Sequence, residues 1–371
     1  MKKKLMLYFH IPFCLSKCAY CAFFSAPCTD EALKAEYTDA LIRQLTSFEN
    51  AKDYSVSSVY FGGGTPTVLG PDRLVSVLSA AREVFCLEEN AEITVEANPK
   101  TVTRDCLYSL RQGGFNRLSI GVQSFNNGTL KKLNRAHSAE DAVECFAMAR
   151  SAGFDNISAD LIFALPDEDV SELRHSLDSL IALRPAHISV YGLSIEAGTP
   201  LEQNYSSYSF PNEEEEERQY ELVCRTLKAA GYGHYEISNF ALPNKEARHN
   251  TGYWERTEYF GFGAAAHSFF KGKRFSSIAH TERYIALTKE GYLAPTDFDS
   301  SAVLSKTDAE EERVMLGLRL SHGVELDRGH VPDMLLREGL AEYSEGRVRL
   351  TEKGFRVSNA IIGILCETDE K

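Results

Sequence analysis

Three thiols fall within eight positions of one another near the start of the chain. They are Cys14, Cys18 and Cys21, in the stretch YFHIPFCLSKCAYC at 8–21. A disulfide would join two of them and strand the third. A zinc site wants a fourth ligand, usually from a second CxxC-like pair or a pair of histidines. Cys28 is the nearest spare thiol and His10 the nearest imidazole, and neither stands at a usual zinc spacing. A cubane iron–sulfur cluster suits the spacing better. It has four irons, so three cysteines leave one iron open to a small molecule. Zinc binding and thiol redox chemistry remain the alternatives at the level of the residues.

The elements that position such a loop repeat along the chain. Strand-like runs read LMLYFH (5–10), SSVYFGG (57–63), EITVEAN (92–98), RLSIGVQ (117–123), ISADLIFAL (157–165) and HISVYGLS (187–194). Several are nearly continuous in apolar residues, as expected of strands covered on both faces. Amphipathic helical segments lie between them, among them 72–85, 138–153 and 169–184. Alternating strand and helix means parallel pairing through crossover helices. The expected fold is α/β, a partial (β/α)6 barrel, with an open doubly wound sheet as the alternative. Chemically distinctive residues recur at the strand ends: the three cysteines, Gly62 to Pro66, Glu96 and Asn98, and Gln123, with Asp160 inside the fifth strand. The C-terminal rim is where α/β barrels assemble their sites.

Cx3Cx2C with an aromatic before the last cysteine, here Tyr20, resembles the cluster loop of the radical S-adenosylmethionine (SAM) superfamily. Against that cofactor, Gly62 to Gly64 let the backbone come close. Glu96 could accept from ribose hydroxyls, and Arg135 could pair with the carboxylate in the bidentate manner of arginine. The motifs GGGTPT, VEANP, GVQSF, LNRAH and DLIFALP follow the cysteine loop in order as far as residue 166. Together they resemble the coproporphyrinogen dehydrogenase branch of the superfamily. The resemblance implies that the cysteines hold a [4Fe–4S] cluster. It also implies that Tyr8, Tyr20, Gly63, Gly64, Thr65, Glu96, Gln123, Arg135 and Asp160 surround the SAM. The chain departs from the branch at Ala164, where glycine is usual.

Within that branch the oxygen-independent coproporphyrinogen III oxidases carry a longer N-terminal extension and a CxC ending to the cluster loop. Here seven residues precede Tyr8, and Ala22 and Phe23 follow Cys21. The segment His249-Asn250-Thr251-Gly252-Tyr253-Trp254 instead matches the HNxxYW signature of heme chaperones, and it holds the single tryptophan. The resemblance implies heme as cargo, with His249 as axial ligand and with His10 and His267 as further candidates. A neutral imidazole is an ordinary ligand to heme iron, and neighbouring aromatics can pack on the porphyrin. The expected function is delivery of heme to apo-hemoproteins such as respiratory enzymes, with an electron donor to the cluster. Decarboxylation of coproporphyrinogen III is the alternative, so an enzymatic role stays open.

The domains expected are a radical SAM barrel at 1–200, an α+β extension bearing HNxxYW at 201–300, and a winged-helix-like module at 301–371. A net charge of −13 disfavours nucleic acid as partner. No window approaches the ~20 apolar residues of a membrane span. MKKKLMLYF mimics a signal peptide, but His10 and Pro12 interrupt the apolar run. Six cysteines scattered singly fit a reducing compartment. The expectation is a cytoplasmic protein, peripheral at the membrane during heme delivery.

Overall fold

A computed structural model describes residues 2–291 and 300–367. Six strands run parallel and in chain order: β1 (Lys3–Ile11), β2 (Tyr54–Gly63), β3 (Cys86–Ala97), β4 (Arg117–Gln123), β5 (Asn156–Phe163) and β6 (His187–Gly192). They form the partial barrel of an α/β fold. Crossover helices at Glu31–Thr46, Pro71–Val84, Arg104–Gln112, Ala139–Ser151 and Val170–Ala182 connect them. Local chemistry starts these helices where it should. Asp30 accepts from the Ala32 and Leu33 amides, and Ser138/Asp141 and Asp169/Glu172 form capping boxes.

The sheet extends beyond the barrel on both sides to twelve strands. Next to β6 come β8 (Asn239–Ala241) and then β7 (Gly233–Glu236), both antiparallel. The stretch 234–241 is thus a pair of strands. On the other side β9 (Tyr259–Phe262) runs parallel to β1. Beyond it lie β10 (His267–Phe270), β11 (Lys273–Ser276) and β12 (Ser300–Val303), paired antiparallel.

The strands alternate more strictly than their composition implied. Val59, Phe61, Ile93, Val95, Leu118, Ile120, Ala159, Leu161, Ile188 and Val190 are buried in one continuous apolar core. The intervening Ser58, Tyr60, Glu92, Glu96, Arg117, Ser119, Asp160 and Ser189 point the other way, because successive strand residues face opposite sides. Both faces are covered, as expected, but the inner face is polar.

The helix Arg248–Trp254 fills the N-terminal half of that polar interior. Its first amides, Arg248 N and His249 N, donate to Glu92 on β3 at 3.2 and 3.1 Å. Gly252 passes so close to β1 that an added Cβ would lie 2.3 Å from Met6 Sδ. Any side chain there would have to push Met6 out of its buried place.

A three-stranded antiparallel sheet, β13 (Val324–Glu325), β15 (Arg347–Leu350) and β14 (Ala341–Ser344), forms near the C-terminus with helices Lys306–Gly317, Asp333–Arg337, Glu352–Arg356 and Ser358–Glu367. It has its own core around Leu318, Leu335, Val348 and Phe355. The turn of its hairpin places Glu345 and Gly346 at φ 54° and 76°, the geometry of a tight two-residue hairpin turn. Among the described residues no helix is long and apolar enough to cross a membrane.

Candidate functional site

The strand C-termini surround a cavity of about 410 Å3. Cys14, Cys18 and Cys21 line it, together with Tyr20, Gly63, Gly64, Thr65, Glu96, Gln123, Arg135 and Asp160. Eight of the nine residues expected around SAM therefore meet the three thiols in one place. Tyr8 is the ninth, and it stands aside. Its hydroxyl bonds His10 Nδ1 at 3.0 Å, and its ring stacks on Tyr60 with centroids 6.2 Å apart. Since His10 Nε2 must donate to the Phe24 carbonyl at 2.8 Å, Nδ1 accepts from Tyr8. His10 is thus engaged at both nitrogens.

The cysteine loop is held by its own backbone and by distant segments. Lys17 Nζ donates to the carbonyls of Phe23 and Ser25 at 2.6 and 3.0 Å. Ala19 N donates to Leu133 O, and Asn134 Nδ2 to Lys17 O. Gly63 and Gly64 serve this loop as much as any ligand. Gly63 has φ +108°, and a Cβ there would meet the His10 ring at 2.5 Å. A Cβ on Gly64 would meet Phe13 O at 2.7 Å and Cys14 Sγ at 3.1 Å.

Arg135 reaches across the thiols, with Nη1 3.3 Å from Cys18 Sγ and Nη2 2.6 Å from Gly121 O. Thr65 donates toward Cys14 Sγ at 3.7 Å and itself accepts from Asn98 Nδ2 at 2.8 Å. Burial pushes the Glu96 carboxyl up to about 7, although Tyr60 Oη donates to it at 2.6 Å. Burial also raises Asp160, which accepts from Ser119 at 3.4 Å. Gln123 adopts φ +69° at the end of β4, in the left-handed region. Such strain gathers at functional sites.

His249 is elsewhere than expected. It is 1% exposed, beneath the cavity, with its ring stacked on Tyr60 at 5.0 Å. Ser58 Oγ lies 2.9 Å from Nδ1 and Tyr253 Oη 2.8 Å from Nε2. Burial, and secondarily the charge of Arg117, push it down to about 3, so the ring is neutral. Both nitrogens are committed, and neither is placed to bind heme iron in this arrangement. His267 is exposed at the start of β10 and lies outside the cavity lining. The motif's representative in the cavity is Asn250.

Sequence reasoning missed Tyr60, Arg117, Ser119, Ser189 and Tyr191, all of which line the cavity, and gave Asn250 no role of its own although it stands in the HNxxYW motif. For three of them the signal was present. Counting back in twos from Gly62 and Gly121 reaches Tyr60, Ser119 and Arg117, the inward positions of their strands.

Residues 8–180 match the Radical SAM superfamily. A heme chaperone HemW of Lactococcus lactis is 34% identical over 97% of this chain and 97% of that one. The chain belongs to the HemW family. The HemW of Bacillus subtilis is also 34% identical, covering 96% of this chain and 97% of its own. The HemW of Escherichia coli is 36% identical over 71% of this chain. Among solved structures, the coproporphyrinogen III oxidase HemN of Escherichia coli superposes with a TM-score of 0.83 over 99% of this HemW-family chain, at 24% identity. That likeness shows the radical SAM fold.

Proposed function

We propose that the protein is a heme-binding chaperone whose three thiols hold a [4Fe–4S] cluster and whose cavity receives SAM. The observation that carries this reading is the convergence of Cys14, Cys18 and Cys21 with Glu96, Gln123, Arg135 and Asp160 on one cavity. The residues fit the cluster on chemical grounds. Cys14, Cys18 and Cys21 are free thiols. Among the described residues no three His, Cys, Asp or Glu side chains gather around a single-ion position. A cubane's cysteines each take a different iron, so three thiols on one loop facing one cavity suit a cluster with an open iron.

A reduced cluster would supply the electron that splits SAM into methionine and a 5′-deoxyadenosyl radical. The chain's residues hold and orient. Arg135 steadies Cys18 and would offer charge to the carboxylate of SAM, and Glu96, propped by Tyr60, would accept from its ribose hydroxyls. Ser119 and Ser189 hold Asp160 as a further acceptor.

A cavity of about 410 Å3 lies at the small end of ligand sites. The HNTGYW segment and the 34% identity to heme chaperones named HemW over nearly the whole chain favour carriage over the oxidase reading. Delivery to apo-hemoproteins of the respiratory chain, a separate electron donor and a cytoplasmic location belong to the same proposal.

The test is anaerobic reconstitution with iron and sulfide, followed by a heme titration read by absorbance. Saturable binding at one heme per chain, without carbon dioxide release from coproporphyrinogen III, supports the chaperone. Carbon dioxide release with no heme binding overturns it in favour of the oxidase.

A further inference from the structure

The helix Arg248–Trp254 is tied to two strands just short of the cavity. The His249 amide donates to Glu92 Oε1 on β3, and Ser58 Oγ on β2 lies 2.9 Å from His249 Nδ1. Counting along each strand in twos stays on its inner face. Two residues beyond Ser58 comes Tyr60, and four beyond Glu92 comes Glu96, both lining the cavity. These two meet. Tyr60 Oη donates to Glu96 Oε1 at 2.6 Å. Gly62 leaves room for the pair, since an added Cβ would stand 2.8 Å from Tyr60 Cε1 and 3.1 Å from Glu96 Oε1.

Tyr60 aims at Glu96 only while its ring keeps its place. The His249 imidazole is stacked on that ring, with centroids 5.0 Å and planes 29° apart, and Tyr8 from β1 adds a second ring at 6.2 Å. The imidazole is itself fixed at both nitrogens, by Ser58 and by Tyr253 Oη at 2.8 Å. A ring so held cannot turn, and its face is a rigid support for the ring packed on it. We propose that His249 is a positioning residue for the SAM site, acting through Tyr60 on Glu96. The role rests on the SAM reading of the cavity and gives the motif histidine a task that suits its geometry. Both nitrogens are engaged and only the ring face is free to act. Glu96 is the carboxylate that would accept from the ribose hydroxyls, and an acceptor already fixed in place binds better than one that must first be ordered.

The experiment measures equilibrium binding of SAM, and separately of heme, to full-length protein reconstituted anaerobically, so no turnover is needed. His249→Ala should weaken SAM binding about fivefold to tenfold, and His249→Phe, which restores a ring but neither hydrogen bond, should recover part of the loss. Made in a Tyr60→Phe chain, His249→Ala should cost little more, because the hydroxyl it steadies is already gone. The pH profile is the second readout. Burial raises Glu96 to about 7, against the hydrogen bonds from Tyr60 and the Gly63 amide. Asp160 and Arg117 are the charged groups facing it, with Tyr8, Tyr191 and Tyr253 the further titratable ones. The ionised carboxylate is the better acceptor, so SAM affinity should rise with pH through that value in wild type. In His249→Ala and in Tyr60→Phe the rise should move to higher pH, since both weaken the Tyr60 hydrogen bond. If His249→Ala does not fold, Tyr253→Phe frees one ring nitrogen and should cost about twofold, again only where Tyr60 is present. Unchanged SAM affinity in the variant, or a loss that is equal at every pH and adds to that of Tyr60→Phe, overturns the role. Loss of heme binding in His249→Ala with SAM binding intact overturns it in favour of a heme ligand. Wild type that binds no SAM overturns the SAM reading of the cavity together with this role.

Discussion

The rim and the floor of this cavity are built on opposite principles. At the rim, polar groups point at open space: three thiols, a carboxyl raised to about 7 and an arginine that grips sulfur. Under the floor, polar groups satisfy one another. His249 is clamped between Ser58 and Tyr253, and His187 is clamped in the same way between Ser158 and Tyr235 at 2.7 and 2.8 Å. The lesson concerns histidine in motifs. An imidazole in a signature sequence invites a ligand role, but a ligand needs a free lone pair, and these two rings have none to spare. Arg117 and Asn250, between the two zones, line the cavity from below, and Arg117 is held by a long ion pair to Glu92.

The sharpest way to break this contrast is at the thiols. Serine at Cys14, Cys18 or Cys21 should abolish the cluster, with iron per chain falling to background after reconstitution. Cys28→Ser should retain it, because that thiol's contact is with Asp30 O. Retention of iron in any of the first three variants would place the cluster elsewhere.

Below the cavity the effect should be on folding. Glu92→Ala strands two helix amides and removes the ion-pair partner of Arg117. It should cost about 3–5 kcal/mol, read as a lower denaturant midpoint. An unchanged midpoint would mean that the helix at 248–254 does not depend on its anchor.

Acidity separates the zones again. Glu96 is raised to about 7 in the folded chain from an ordinary 4.5, so between those values the folded chain holds a proton that the unfolded chain has lost. Stability should therefore fall as pH rises through that window, by on the order of 3 kcal/mol at most. Glu168, buried away from the cavity with neither oxygen hydrogen-bonded, is pushed up to about 8 and acts in the same sense. Glu96→Gln and Glu168→Gln should each flatten the loss of thermal stability between pH 5 and pH 9. Added SAM should change the slope that Glu96 contributes and leave that of Glu168 alone.

The smallest effect expected is at Ala164. It sits at φ +59°, in the left-handed region that glycine adopts without a Cβ penalty. Ala164→Gly should raise the denaturant midpoint by about 0.5–1 kcal/mol equivalent, the relief of strain partly offset by the entropy of an unfolded glycine. A lower midpoint would show that the alanine methyl packs to advantage.

What was legible in the sequence follows the same division. The rim could be read, because thiol spacing, glycine runs and strand-end acids are local signals. The barrel could be read from alternating strand and helix. The floor could not, because Ser58, Glu92 and His249 come together from segments as much as 191 residues apart, with no local pattern linking them. Nothing in the HNTGYW stretch marks it as a buried helix, because glycine and asparagine usually signal a loop. Its glycine is there to let a helix press against Met6.

The cysteine loop also carries a mechanical consequence. Leu201 N donates at 2.9 Å to Ala19 O, the carbonyl between two of the thiols. Residue 201 opens the stretch that leads to the HNTGYW segment. The backbone between Cys18 and Cys21 is therefore tied to the segment that follows β6, and a substitution that displaces residue 201 should displace the loop with it.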